Sequence, residues 1–150
     1  WVRIEGVVWE YKGEREIKVY KVDNVQWLGP GEPVKPTKAK TGEVGEVLEG
    51  KLVQVTGRIT RFGSFYLDDG SGEVEAYIRR GTGIELKGLK VGQIVTVVGV
   101  VGRFGSTYEI RPRSQADIQP MLLPKTGGSP SMIEAILRAV RGIFSISRGG

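Results

Sequence analysis

The chain has 150 residues, a length that suits one small domain with extensions and excludes a large multidomain enzyme. Hydrophobic residues make up 39% of it and charged residues 26%, which argues against wholesale disorder, and a formal net charge of +5 favours polyanionic partners. The sequence contains no histidine and no cysteine, which excludes disulfides, thiol nucleophiles, imidazole catalysis and zinc sites built from these residues. Carboxylate, lysine and metal–oxygen chemistry remain open, but no pair of carboxylates stands out as an acid–base couple, so we expect a non-enzymatic protein without a metal ion or a small-molecule cofactor.

Residues 1–28 repeat a later part of the chain. Sliding the sequence by 93 positions brings a run of valine, glycine and acidic residues onto similar ones. The positions Val2, Ile4, Gly6, Val7, Val8, Tyr11, Glu16 and Ile17 fall on Val95, Val97, Gly99, Val100, Val101, Phe104, Glu109 and Ile110. This pattern predicts that residues 1–28 are the closing hairpin of an earlier copy in a tandem array. The alternative is that two hairpins rich in valine and glycine match by composition.

Residues 29–49 are predicted to be a linker. The stretch 29–41 holds three prolines and three lysines without apolar periodicity, which favours an extended chain. Residues 42–49 are compatible with one or two helical turns.

From Gly50 onward the pattern is typical of β-structure. Alternation places Val53, Val55 and Ile59 on the inner face of a first long strand. A hairpin follows, formed by 65–67 and 74–78 around an Asp-Asp-Gly-Ser-Gly turn, whose spacing fits a β-turn better than a calcium loop. Residues 82–90 are compatible with a short helix. The segments 93–103 and 107–111 then give a fourth and a fifth strand, and glycines 57 and 99 indicate bends in the two long strands.

Five strands in this arrangement predict an all-β, five-stranded Greek-key barrel of the oligonucleotide/oligosaccharide-binding (OB) type over residues 50–119. The stretches GKLVQVTGRITRFGSFYLDDGSGEVEAYI and GLKVGQIVTVVGVVGRFGSTYEIRPRSQADI carry a resemblance to bacterial OB-fold domains. That family occurs as tandem accessory modules in secreted nucleases and surface proteins. The resemblance implies a binding module of a larger extracellular protein. It specifies the fold better than the ligand, since this fold hosts many functions.

The candidate binding residues lie on one face of the predicted barrel and at its rim. Alternation puts Arg58, Tyr66, Tyr77 and Arg79 on the outer face of the first three strands, where rings stack on bases and guanidinium groups meet phosphates. The alternative is an exposed strand face without a ligand. Two Arg-Phe-Gly-Ser turns form the predicted rims, and either their phenylalanines clamp a ligand or they plug the barrel ends. The rim residues are Arg61, Phe62, Arg103 and Phe104.

The tail, residues 120–150, contains a motif that resembles the LPxTG signal of sortase substrates. It consists of Leu123, Pro124, Lys125, Thr126 and Gly127, and the resemblance implies cleavage between Thr126 and Gly127 and attachment to the cell wall. Charged residues interrupt the apolar segment behind it, so 132–146 is predicted to form a basic amphipathic helix, suited to a membrane surface or a partner groove rather than a membrane span. A chance match in a solvated tail is the alternative.

These features together predict a non-catalytic OB module that binds single-stranded DNA or RNA with low sequence specificity. We expect it to be extracellular or cell-wall-associated, as an accessory part of a larger protein such as a nuclease. The rival hypothesis is a structural spacer, or a glycan-binding or protein-binding OB module, of a wall-anchored surface protein.

Overall fold

The computed structural model describes residues 1–121. Within this range the chain forms eleven β-strands and four short 3-10 helices. The strands are β1 (Val2–Ile4), β2 (Val7–Tyr11), β3 (Glu14–Lys18), β4 (Val25–Trp27), β5 (Thr37–Lys38), β6 (Leu52–Arg61), β7 (Phe65–Asp68), β8 (Val74–Ala76), β9 (Ile94–Phe104), β10 (Thr107–Arg111) and β11 (Ile118–Pro120). The 3-10 helices are Val22–Asn24, Thr41–Glu43, Glu46–Leu48 and Gln115–Asp117.

Five of the strands close into a barrel. Strand β6 pairs with β7, β7 with β8, β8 with β10, β10 with β9, and β9 pairs again with β6. The pairing of β8 with β10 is parallel, and the other four pairings are antiparallel. A closed five-stranded Greek-key barrel with this order has the OB fold, which confirms the predicted fold class.

The interior of the barrel holds one hydrophobic core. Side chains alternate between the two faces of each strand, so the inner positions of the sequence pattern become the buried ones. Val53, Val55 and Ile59 are buried as predicted. The full cluster of buried apolar residues is Val53, Val55, Ile59, Phe65, Leu67, Val74, Ala76, Val95, Val97, Val101, Ile110 and Ile118.

Two glycines allow the long strands to pass close to neighbouring backbone. A Cβ atom on Gly99 would lie 2.7 Å from the carbonyl carbon of Arg111, and one on Gly57 would lie 3.1 Å from that of Asp68. At Arg58, next to Gly57, strand β6 passes from its partner β9 to its partner β7. The register irregularity itself falls between Ile59 and Arg61 rather than at Gly57.

The predicted linker differs from the structure in its C-terminal part. Strand β5 adds to the sheet by pairing in parallel with β6, with Thr37 opposite Val53. The side chains of Ala39, Val44 and Leu48 pack against the core. From Thr37 onward this segment is therefore part of the barrel's wall, and its helical content is limited to two 3-10 turns.

The helix predicted over 82–90 is absent. Gly83 and Gly88 have φ angles of +69° and +87°, in the left-handed region that interrupts a right-handed helix. Ile84, Leu86 and Leu89 instead pack against the core from an irregular segment.

Residues 1–28 form two separate strand pairs, β1 with β4 and β2 with β3, which do not insert between the strands of the barrel. The turn between β2 and β3 touches the barrel. The amide of Gly105 donates a hydrogen bond of 2.9 Å to the carbonyl of Lys12, and the guanidinium of Arg111 pairs with Glu14.

The tail beyond Met121 lies outside the described residues, and with it the LPKTG motif at 123–127 and the amphipathic pattern at 132–146. Among residues 1–121, no helix is long and apolar enough to cross a membrane.

Candidate nucleic-acid interface

The outer face of β7 and β8 carries the side chains that the sequence pattern assigns to it. Phe65 and Leu67 point into the core, while Tyr66 and Glu75 on the neighbouring strands lie half-buried on the other face. Their register is antiparallel, with Tyr66 directly opposite Glu75. The phenol of Tyr66 donates a hydrogen bond of 3.2 Å to the Glu75 carboxylate.

Arg61 covers one face of the Tyr66 ring. Its guanidinium carbon lies 3.5 Å from the ring centroid, and its Nη2 lies 2.8 Å from a carboxylate oxygen of Glu73. The hydrogen bonds from Arg61 and Thr60 lower the pKa of Glu73, and the same contact with Glu73 raises the pKa of Arg61. Arg61 and Tyr66 thus have partners within the protein, so a ligand must compete for this guanidinium and for that ring face.

A small open cleft of about 190 Å³ lies between the first Arg-Phe-Gly-Ser turn and the end of β8. Phe62 stands at its rim, stacked on Phe65 with ring centroids 6.0 Å apart and planes within 9°. Tyr77 lines the cleft and is 43% exposed, and Phe62 is 41% exposed. Two aromatic rings therefore face solvent at the same cleft. The sequence pattern did not predict that Ile78 and Leu86 form part of its lining.

The second Arg-Phe-Gly-Ser turn has the same sequence and different surroundings. The Arg103 Nε donates a hydrogen bond of 2.7 Å to the carbonyl of Gly105, two residues along its own turn. The Phe104 ring is exposed, but the ammonium group of Lys12 sits 4.1 Å from its centroid. The hairpin of residues 1–28 therefore occupies part of this rim, and no pattern within residues 50–119 indicates that contact.

The two remaining predicted arginines lie in different places. Arg58 is on β6, and its Nη1 donates a hydrogen bond of 2.7 Å to the carbonyl of Gly92. Arg79 follows Tyr77 by two residues, past the end of β8, and both Arg79 and Arg80 are exposed. Arg79 and Arg80 thus follow the cleft residues Tyr77 and Ile78 in the chain, whereas Arg58 is hydrogen-bonded to Gly92, in the segment before β9.

The acidic turn after β7 serves the fold. The Asp68 carboxylate accepts a hydrogen bond of 2.7 Å from the Gly70 amide, and Asp69 accepts one of 2.8 Å from the Thr41 hydroxyl. Burial alone would raise the pKa of Asp69, but hydrogen bonds from Ser71 and Thr41 outweigh it and lower that pKa. Within residues 1–121, no cluster of three or more acidic side chains is placed to hold a metal ion.

No protein-family model and no curated protein sequence matches the chain. Among solved structures, an OBody bound to hen egg-white lysozyme is similar, with 22% identity and a TM-score of 0.49 over 61% of this chain and 100% of that one. The OB domain of a Methanosarcina mazei protein has 16% identity and a TM-score of 0.47, over 63% of this chain and 93% of that one. A replication protein A heterotrimer bound to single-stranded DNA has 17% identity and a TM-score of 0.36, over 65% of this chain and 77% of that one. With identities and TM-scores this low, the fold assignment rests on the strand order, and function has to be argued from the site.

Proposed function

We propose that this chain is a non-catalytic OB module that binds single-stranded DNA or RNA with little sequence preference. The observation that carries the proposal is the pair of exposed rings, Phe62 and Tyr77, at one cleft on the β7–β8 side of the barrel. OB folds use this strand face and the adjoining rim loops for oligonucleotides.

Stacking supplies the attraction and explains the low specificity. Every base has a π-face, so a ring that stacks on one base stacks on all, at about 1–3 kcal/mol per base. Two rings account for an affinity near the micromolar range, roughly 10 µM or tighter, once phosphate contacts are added.

Charge limits the number of phosphate contacts. Arg61 is paired with Glu73, and Glu75 in the cleft lining repels phosphate, so we assign the phosphate contacts to the exposed Arg79 and Arg80, which follow the cleft residues Tyr77 and Ile78 in the chain. Two such contacts predict a shallow salt dependence, with a log–log slope of about −1 to −2.

Fluorescence anisotropy with a labelled oligothymidylate tests the proposal. Tyr77→Ala should weaken binding by about 5- to 100-fold at unchanged salt slope, since it removes one stacked base. Arg79→Ala should make the slope shallower by about 0.7, since it removes one phosphate contact. Tyr20→Ala is the matched control, because Tyr20 is an exposed tyrosine outside the barrel.

The twin turns provide a second matched pair. Phe62→Ala should weaken binding, whereas Phe104→Ala should change it by less than about twofold, because Phe104 does not line the cleft and the Lys12 ammonium group already sits over its ring. Thermal unfolding of each variant shows whether the barrel is intact. Equal losses for Tyr77→Ala and Tyr20→Ala, or equal displacement by heparin and oligonucleotide, would show that only the net charge attracts the ligand. Failure to bind at about 100 µM protein in low salt would leave the spacer, glycan-binding or protein-binding role in place of this one.

The wider context of the module is also part of the proposal. An extracellular or cell-wall-associated parent protein, with sortase as the processing enzyme, is supported by the Leu123–Gly127 motif in the sequence. The accessory role beside a nuclease is supported by the resemblance of residues 50–119 to OB modules of secreted proteins.

A further inference from the structure

Residues 1–28 reproduce the strand pairing of the barrel's closing half, shifted by 93 positions. Ile4 pairs with Val25 as Val97 pairs with Ile118. Val7 pairs with Lys18 as Val100 pairs with Arg111. The 3-10 helix Val22–Asn24 likewise corresponds to Gln115–Asp117. Registers depend on backbone geometry as well as on composition, so equal registers go beyond a chance similarity of two valine-rich hairpins.

The close backbone approaches are reproduced as well. A Cβ atom on Gly6 would lie 2.7 Å from Cγ2 of Ile17, and one on Gly99 would lie 2.7 Å from Cγ2 of Ile110. Both glycines therefore sit at the same bend against the same partner position.

The two copies differ in what covers their apolar face. In the barrel, the inward residues of this face are 0–4% exposed. Their counterparts in residues 1–28 are 46–72% exposed. The pairs, barrel residue first, are Val95 and Val2, Val97 and Ile4, Val101 and Val8, Ile110 and Ile17, and Ile118 and Val25.

The barrel itself shows what covers this face. Strand β6 pairs antiparallel with the 94–100 stretch of β9, and β8 pairs in parallel with Glu109 and Ile110 of β10. The meander β6–β7–β8 thereby lies over the core face of β9, β10 and β11. Within residues 1–121, β1 pairs with β4 alone, and β2 and β3 pair with each other alone. In this range no strand takes the places that β6 and β8 take beside β9 and β10.

We infer that residues 1–28 are a docking surface for a three-stranded OB meander, joined ahead of Trp1 and closing with them a second barrel. In the described barrel the meander leads through Gln93 into Ile94, and the position that corresponds to Ile94 is Trp1. Chain order in the copied topology therefore places the proposed meander on the N-terminal side of Trp1.

The apolar face of residues 1–28 has the volume that such a meander needs. Three of the five inward positions keep the same residue type. Ile4 adds one methylene relative to Val97, and Val25 removes one relative to Ile118, so the total apolar volume is conserved. Volume-conserving exchanges of this kind are the best tolerated in protein cores. The chain's own meander is therefore a suitable occupant for a test.

A fusion of a second copy of Gly50–Gln93 directly onto Trp1 of the full chain tests the inference. Hydrogen exchange measured by mass spectrometry should show that the amides of residues 1–18 exchange about 100-fold or more slowly than in the unfused chain. The reason is that these strands gain backbone hydrogen bonds to the added strands and that their apolar face becomes covered. Within the fusion, Val8→Asp should abolish that protection, because Val8 corresponds to the buried Val101. Val7→Asp is the matched control, because Val7 lies next to it on the opposite face and corresponds to the half-buried outer residue Val100.

Three results would overturn the inference. The first is a soluble fusion in which residues 94–120 are protected but residues 1–18 exchange as fast as before. The second is equal behaviour of Val7→Asp and Val8→Asp in the fusion. The third comes from the unfused chain and does not depend on the fusion's folding: the chain dimerises in sedimentation experiments and Val8→Asp alone restores the monomer, which would make a second copy the occupant. Oligonucleotide binding by Phe62 and Tyr77 is a separate readout in the unfused chain, where Val7→Asp and Val8→Asp are expected to leave it unchanged, since both valines lie outside the cleft.

Discussion

Val101 and Val8 offer a direct comparison of one residue type at equivalent positions with opposite burial. Val101 is 1% exposed inside the barrel, whereas Val8 is 72% exposed in residues 1–28. Substitution of Val101 by alanine removes two buried methyl groups, at about 0.8 kcal/mol each. The cavity that remains, of the order of 40 Å³, adds about 1 kcal/mol.

The expected loss for Val101→Ala is therefore about 2.5 kcal/mol in the free energy of unfolding. For a small domain this corresponds to a fall in melting temperature of roughly 10–20 °C. Val8→Ala should cost less than about 0.5 kcal/mol, since most of that side chain is already in water.

Urea unfolding followed by circular dichroism measures both values. Tryptophan fluorescence is a useful second signal, because Trp1, Trp9 and Trp27 all lie in residues 1–28 and report that region alone. Equal losses for the two alanine variants would refute this reasoning, since they would mean that the Val8 face is covered in solution or that the barrel interior is not packed as described.

Two further predictions concern single contacts in the barrel. Gly99→Ala should destabilise the barrel by about 2 kcal/mol or more, because the new Cβ would lie 2.7 Å from the Arg111 backbone. Gly45→Ala is the control and should change stability little, because the nearest atom to its new Cβ would lie 3.9 Å away. Thermal unfolding compares the two variants, and similar melting temperatures would contradict the close approach at Gly99. Asp117→Asn should cost about 1–2 kcal/mol at neutral pH, because Arg113 donates hydrogen bonds of 2.8–2.9 Å to this buried carboxylate. The hydrogen bond from Arg113 lowers the pKa of Asp117 although burial opposes it, so the stabilisation is present above the usual value of 3.8 and is lost as pH falls through the lowered one. In urea titrations from about pH 5 downward, the free energies of unfolding of Asp117→Asn and the parent should converge. Asp23→Asn, at an exposed position, is the control. A difference that does not change with pH would assign the effect of Asp117→Asn to packing instead.

The fold could be predicted from sequence because it depends on local patterns. Alternation of apolar and polar residues predicts which side chains of β6 and β9 face inward, and the turn residues after β7 predict the hairpin. The sequence of 82–90 is compatible with a short helix, whereas in the structure Gly83 and Gly88 take left-handed conformations that interrupt one. The pairing of Thr37 and Lys38 with β6 could not be predicted from sequence, because backbone hydrogen bonding leaves no side-chain pattern.

By itself, the sequence determined the barrel, its inward residues and the 93-residue correspondence, because each of these depends on residue type at a regular spacing along one chain. Only the tertiary structure decided which candidate side chains have partners. Arg61 meets Glu73 across a hairpin, and Phe104 meets Lys12 from a segment far away in the chain. Such contacts arise from strand register and from the docking of distant elements, so two turns with the same four residues end in different surroundings: Phe62 lines the cleft, and the exposed Phe104 ring contacts the Lys12 ammonium group.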